Sequence, residues 1–220
     1  MRHAENIEQV GALPIHFMGF IFYEKSPRCV KNTDDILTTF PADLTRVGVF
    51  VNADIDFVLF KTHQFDLNAV QLHGSETPQY IEDLSKEMRA KLKVAALSDV
   101  EIIKAFPVGE DFDFEELKPY TSLVNYFLFD TKTPNHGGAG VKFDWNILKK
   151  YDLNVPFLLA GGISEQDAEL VNSLNINQLY ALDLNSKFEI EAGLKDVSKL
   201  HQFILELDSF HTNWTNLYTN

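Results

Sequence analysis

Seven short, nearly continuous apolar runs, separated by amphipathic segments, constrain this chain more than any other feature of its sequence. The runs are HFMGFIF (16–22), RVGVFV (46–51), NAVQLH (68–73), LKVAAL (92–97), NYFLFD (125–130), VPFLLAG (155–161) and NQLYALDL (177–184). A strand with one wet face alternates apolar and polar residues. A strand buried on both faces does not, and parallel sheets are built from such strands. Helical spacing of apolar residues runs through DIDFVLFKTHQF (54–65), PQYIEDLSKEMRA (78–90), WNILKKY (145–151), EQDAELVNSL (165–174) and KDVSKLHQFILELDSF (195–210). Asp54, Pro78, Ser164 and Asp196 stand at the starts of four of these as caps or first-turn residues. Strand–helix alternation of this kind predicts an α/β fold with a parallel sheet. No Gly-x-Gly-x-x-Gly follows the first run, so a dinucleotide-binding open sheet has no support and a (β/α)8 barrel is favoured.

Composition narrows the class further. The chain has 220 residues, 45% of them hydrophobic, enough for one domain with a sizeable core. We read one barrel domain over 1–208 and a tail over 209–220. A net charge of −13 argues against a non-specific nucleic-acid binder or a basic membrane-surface protein. The single cysteine, Cys29, excludes an internal disulfide and a Cys-rich zinc site. No apolar run approaches the ~20 residues of a membrane span, and MRHAENIEQV lacks the apolar core of a signal peptide. These readings predict a soluble, cytoplasmic protein. The strand count is anomalous. AENIEQVGAL (4–13) reads as a helix with no strand before it, so seven barrel strands are expected and the first strand is missing.

In such barrels the chemistry sits at the C-terminal ends of the strands. Asp130 ends its run, half inside an apolar wall that would raise its pKa and suit a general acid. Alternatively it pairs with Lys132 or caps the next turn. Gly161 and Gly162 let the backbone approach a ligand, and with Asp183, Asn185 and Ser186 after the next strand they form a candidate phosphate cradle. The plain alternatives are a tight turn for the glycines and a helix cap for Asp183. Arg28 follows Pro27 in a loop and suits a carboxylate or phosphate, unless it is simply solvated. His73 closes a strand end as a catalyst or as a structural hydrogen-bonder. The acidic stretch 109–116 reads as a solvated loop or helix start, and its carboxylates have no metal-ligand spacing.

These residues, in order, resemble the phosphoribosylanthranilate isomerase family of tryptophan biosynthesis. The resemblance is carried by Met18-Gly19-Phe20-Ile21-Phe22-Tyr23 with Lys25-Ser26-Pro27-Arg28, then Arg46-Val47-Gly48-Val49-Phe50-Val51-Asn52 and Val70-Gln71-Leu72-His73-Gly74. It continues through Phe129-Asp130-Thr131, Gly137-Gly138-Ala139-Gly140, Phe143-Asp144-Trp145 and Leu159-Ala160-Gly161-Gly162-Ile163. Asp183-Leu184-Asn185-Ser186 and Gly193-Leu194-Lys195-Asp196 complete it. The resemblance implies an Amadori rearrangement of N-(5'-phosphoribosyl)anthranilate, an anionic sugar phosphate, with no cofactor and no metal. It implies Asp130 as the acid that protonates the furanose oxygen and Arg28 as the holder of the anthranilate carboxylate. Gly161, Gly162, Asp183, Asn185 and Ser186 then take the phosphate, and Gln71 and His73 line the pocket floor.

The family's first strand ends in a Cys-Gly pair whose cysteine is the general base. Met1-Arg2 matches the point just after it, and Cys29, beside Arg28, does not replace it. Loss of a strand removes two or three buried apolar side chains at about 1.5–3 kcal/mol each. It also bares two strand edges. From this we expect a start codon assigned too far downstream, an open or gapped barrel covered by another chain or by the tail, and slow turnover. We expect a monomer or weak homodimer, with association through exposed strand edges. The competing readings are a non-catalytic barrel that binds a phosphorylated ligand, or a different phosphate-binding barrel enzyme.

Overall fold

A computed structural model of the chain describes residues 1–31, 40–41, 44–91, 100–132, 142–210 and 217–219. Its strands are β1 (Phe17–Ile21), β2 (Thr45–Phe50), β3 (Ala69–Leu72), β4 (Glu101–Val108), β5 (Tyr126–Thr131), β6 (Phe157–Leu159), β7 (Leu179–Leu184), β8 (Glu189–Glu191), β9 (Leu194–Lys195) and β10 (Leu217–Thr219). Its α-helices are α1 (Ala4–Gly11), α2 (Ile55–Phe65), α3 (Pro78–Lys91), α4 (Ala168–Ser173) and α5 (Val197–Phe210). Eight of the strands form a closed, wholly parallel barrel in the order β1-β10-β7-β6-β5-β4-β3-β2, while β8 and β9 make a small antiparallel pair.

This overturns the expectation of seven strands and a missing first strand. β10, from the C-terminal tail, lies between β1 and β7. Phe17 and Met18 of β1 stand opposite Tyr218 and Thr219, and Leu182, Asp183 and Leu184 of β7 stand opposite Leu217, Tyr218 and Thr219. The helix that opens the chain and the strand that ends it are two readings of one fact. A ring has no first element, so moving the chain break by one element leaves the same cycle of strands and helices. Closure also removes the strand edges on which edge-to-edge association was expected to depend.

The run LKVAAL (92–97) lies outside the described residues. The strand that pairs with β3 and β5 is β4 instead, whose sequence EIIKAFPV hides it behind Lys104 and Pro107. Lys104 points away from the barrel axis yet is only 2% exposed. Its ammonium donates to the carbonyls of Leu72, Gly74 and Ala105 and lies 3.1 Å from the Glu76 carboxylate. Burial lowers its pKa, and Glu76 offsets that. A lysine in a buried strand is thus tolerated because each of its needs is met locally.

Two apolar layers result. The barrel interior is filled by Phe17, Val47, Ala69, Ile103, Leu128, Leu158, Ala181 and Tyr218, with Tyr126 and Tyr180 packed against them. A larger layer of strand and helix side chains, such as Phe50, Val58, Leu84, Phe129, Leu159 and Phe203, lies outside the strands. WNILKKY forms a 3-10 helix (Trp145–Lys150), and EQDAELVNSL divides into a 3-10 turn (Glu165–Asp167) followed by α4. Ser164 caps that turn reciprocally: its N–H and hydroxyl donate to Asp167 Oδ2 at 2.7 and 2.8 Å. Asp196 likewise accepts from the Lys199 N–H at 3.0 Å. Asp54 is the N-cap residue of α2 but makes no side-chain cap bond. Asn6 of α1 exchanges two hydrogen bonds with the Lys195 backbone and ties the opening helix to β9.

Candidate active site

Alternation along each parallel strand decides which side chains reach the barrel mouth. Ala69 and Gln71 of β3 face inward, so His73, two residues on, does too. Leu128 faces inward in β5, and so does Asp130. The result is contact. His73 Nε2 lies 3.3 Å from Asp130 Oδ2, and Gln71 Nε2 lies 2.7 Å from His73 Nδ1. The other carboxylate oxygen, Oδ1, accepts from the Thr131 N–H at 2.7 Å. Asp130 and His73 are each about one-fifth exposed, at 19% and 20%. They line one end of a cavity of about 290 Å³ that also touches Lys104, Phe106 and Tyr120.

Gly161 abuts this group. It has φ +91° and Gly162 has φ +70°, both in the region that favours glycine. A Cβ on Gly161 would collide with the Thr131 hydroxyl and stand 2.7 Å from the Thr131 nitrogen and 3.1 Å from Asp130 Oδ1. The end of β6 can therefore lie against the end of β5 only as glycine. Gly161→Val is expected to displace Thr131 and Asp130 together and to destabilise the fold by about 1–3 kcal/mol from the backbone conformation alone. Thermal unfolding beside an activity assay checks this; an unchanged melting temperature with full activity contradicts it.

A second charged group forms across the rim. Arg28 binds Glu189 through Nε (3.0 and 2.9 Å to the two oxygens) and Nη2 (2.7 Å). Glu189 also accepts from the Gly193 N–H at 3.0 Å and lies 3.6 Å from Lys195 Nζ. Lys195 in turn donates to Asn185 Oδ1 at 2.9 Å and to the Leu184 carbonyl at 3.1 Å. Burial pulls the Lys195 ammonium down to about 8, while Glu189 and Asp183 act to hold its charge. Burial alone would push the Glu189 carboxyl up. The Arg28 hydrogen bonds, the Lys195 charge and the Gly193 N–H outweigh it and bring the group below 4.5.

A carboxyl held below its ordinary value contributes stability above that value and loses it as pH falls. The stabilisation is therefore complete above pH 4.5 and disappears below it. Glu189→Gln leaves Arg28 without its anion and Lys195 with Asp183 alone, and is expected to destabilise the fold by about 3–5 kcal/mol near neutral pH. The gap from wild type should shrink as pH drops below 4.5. Urea unfolding at a series of pH values measures this, and a gap that widens in acid contradicts it.

The sequence-predicted residues thus fall into two contiguous sets. Gln71, His73, Asp130 and Gly161 meet at the ends of β3, β5 and β6. Arg28 and Asn185 meet through Glu189 and Lys195. Asp183 stands opposite Tyr218 in the register and acts on Lys195, and Ser186 opens a 3-10 turn (Ser186–Phe188) on the same rim. Gly162 continues the turn after β6. Gly137, Gly138, Ala139 and Gly140 lie outside the described residues.

Sequence reasoning gave no role to Glu189, Lys195 or Tyr218. Lys195 stood in a quoted motif, and its position between Leu194 and the cap Asp196 was the available signal. The cysteine that the resemblance places on the strand in the β10 position has no counterpart among Leu217, Tyr218 and Thr219. Cys29 is buried, its thiol contacts the Val30 carbonyl at 3.8 Å, and burial and then Glu24 push its pKa up, away from a thiolate. Among the described residues, no group of three or more His, Cys, Asp or Glu is placed to hold a metal, and no helix is long and apolar enough to cross a membrane.

Comparison with known proteins gives the family of the chain. The family model for N-(5'-phosphoribosyl)anthranilate isomerase matches residues 1–206. The chain belongs to that family. The Parabacteroides distasonis N-(5'-phosphoribosyl)anthranilate isomerase is 41% identical over 210 residues, covering 94% of this chain and 90% of its own. That of Phocaeicola vulgatus is 38% identical over 207 residues, 94% of each chain. Among solved structures, phosphoribosyl anthranilate isomerase from Thermus thermophilus superposes with a TM-score of 0.79 at 26% identity over 96% of both chains. The Thermotoga maritima isomerase superposes at 0.72 with 29% identity, over 95% of this chain and 96% of its own. The family match ends before β10, the strand that completes the barrel.

Proposed function

We propose that this protein isomerises N-(5'-phosphoribosyl)anthranilate in tryptophan biosynthesis, with Asp130 as the general acid. The observation that carries the reading is the membership of residues 1–206 in the isomerase family together with Asp130 at the inner tip of β5, in contact with His73. In the reaction the anthranilate nitrogen lone pair forms a C1'=N bond. The C1'–O bond pair leaves with the ring oxygen, which takes a proton. Asp130 supplies that proton, and the resulting carboxylate is held by the Thr131 N–H. Loss of the C2' proton then moves its electron pair into a C1'=C2' bond and the imine pair onto nitrogen. The enol becomes the ketone as C2'–OH gives up its proton and C1' gains one.

Arg28 is positioned for the substrate carboxylate. Its bidentate bond to Glu189 uses one side of the guanidinium and leaves N–H donors on Nη1 and Nη2. The phosphate is assigned to the Gly161-Gly162 turn and the Asn185-Ser186 loop. Lys195 stands behind Asn185 and supplies a cation there, and Asp183, itself an anion, serves by holding Lys195 rather than by touching phosphate. The non-catalytic reading is separated from this one by the fluorescence of the anthranilate adduct. Its decay in the presence of the protein is expected, and protein-independent decay at saturating protein would overturn the reading.

A further inference from the structure

We infer that Tyr218, on the strand contributed by the C-terminal tail, is a positioning residue that sets the tautomer of His73 through Gln71 and thereby orients a donor toward Asp130. Tyr218 is fully buried in the barrel interior, and its hydroxyl donates to Gln71 Oε1 at 2.8 Å. Gln71 is also fully buried. With its oxygen taken, the amide presents its NH2 to His73 Nδ1 at 2.7 Å. An amide NH2 only donates, so Nδ1 must accept, and the neutral ring carries its proton on Nε2. That N–H faces Asp130 Oδ2 at 3.3 Å. The chain of four side chains runs Tyr218, Gln71, His73, Asp130, with the Tyr218 hydroxyl as its first donor.

The consequence depends on the assignment of Asp130 as the acid. A donor on Oδ2, added to the Thr131 N–H on Oδ1, helps hold the carboxylate left after proton transfer. Without the Tyr218 hydroxyl the Gln71 amide is free to turn over. Its oxygen then faces Nδ1, the ring proton moves there, and Nε2 becomes an acceptor. Tyr218 lies outside the stretch that matches the family, so this control belongs to the tail rather than to the shared motif.

Nitrogen-15 NMR of His73 in the full chain tests the first link. The wild type is expected to show an unprotonated Nδ1 and a protonated Nε2, and Tyr218→Phe a shift toward the Nδ1–H form. Steady-state kinetics of Tyr218→Phe test the second. Turnover should fall about 3- to 10-fold with KM within about twofold. A wild-type ring protonated on Nδ1, or a Tyr218→Phe protein in which either the tautomer or the turnover is unmoved, overturns the inference. Should Tyr218→Phe fail to fold, Gln71→Glu serves instead. A carboxylate at 71 only accepts, so it must draw a proton onto Nδ1, and a ring that carries no proton on Nδ1 overturns the inference. These NMR readouts need no turnover. A protein that shows them while Asp130→Asn keeps full activity would sink the acid assignment and leave the relay standing.

Discussion

Asp130→Asn lowers turnover of N-(5'-phosphoribosyl)anthranilate by about 10²–10⁴-fold, the usual contribution of a positioned proton donor. The substitution keeps the size of the side chain and an oxygen that can accept the Thr131 N–H, so the end of β5 stays in place. What it removes is the proton that the ring oxygen needs when the C1'–O bond breaks. KM should therefore change little while kcat carries the loss, the pattern of an interaction made only in the transition state. Steady-state fluorescence with the purified variant decides it. Residual activity within about threefold of wild type would mean that ring opening here is not acid-assisted by Asp130.

Deleting residues 211–220 opens the barrel. β1 and β7 lose their shared neighbour, and their N–H and C=O groups face solvent or another chain. The interior loses Tyr218, whose ring meets Phe17 edge-on with centroids 6.0 Å apart and whose removal alone corresponds to about 3–5 kcal/mol by analogy with buried aromatic-to-alanine changes. Added to the unpaired edges, the loss is comparable to the whole stability of a domain, about 5–15 kcal/mol. The shortened protein is expected to aggregate or to unfold at much lower urea than the full chain. Size-exclusion chromatography and urea unfolding measure this. Equal unfolding midpoints for the two chains would show that β10 is not part of the stable barrel.

These two experiments probe features of very different legibility. Asp130, Gln71 and His73 could be placed at strand ends from the runs NYFLFD and NAVQLH, because a buried parallel strand announces itself by unbroken hydrophobicity and its last residues lie at the mouth. β4 was hidden for the converse reason. Lys104 breaks the apolar pattern, and only Glu76 with three carbonyls, brought in from β3, its following loop and β4 itself, makes that lysine compatible with burial. Glu189 was unreadable because its partner Arg28 is 161 residues away, and no local pattern encodes such a pair.

Local chemistry, written along the chain, determined the parallel strand–helix alternation, the glycine turn after β6 and the inward-facing carboxyl of Asp130. The closing of the ring was decided by tertiary structure alone. Three residues, Leu217-Tyr218-Thr219, carry no periodic signal of their own. They become a strand because the gap between β1 and β7 offers two rows of unpaired backbone groups and an apolar interior for one tyrosine ring.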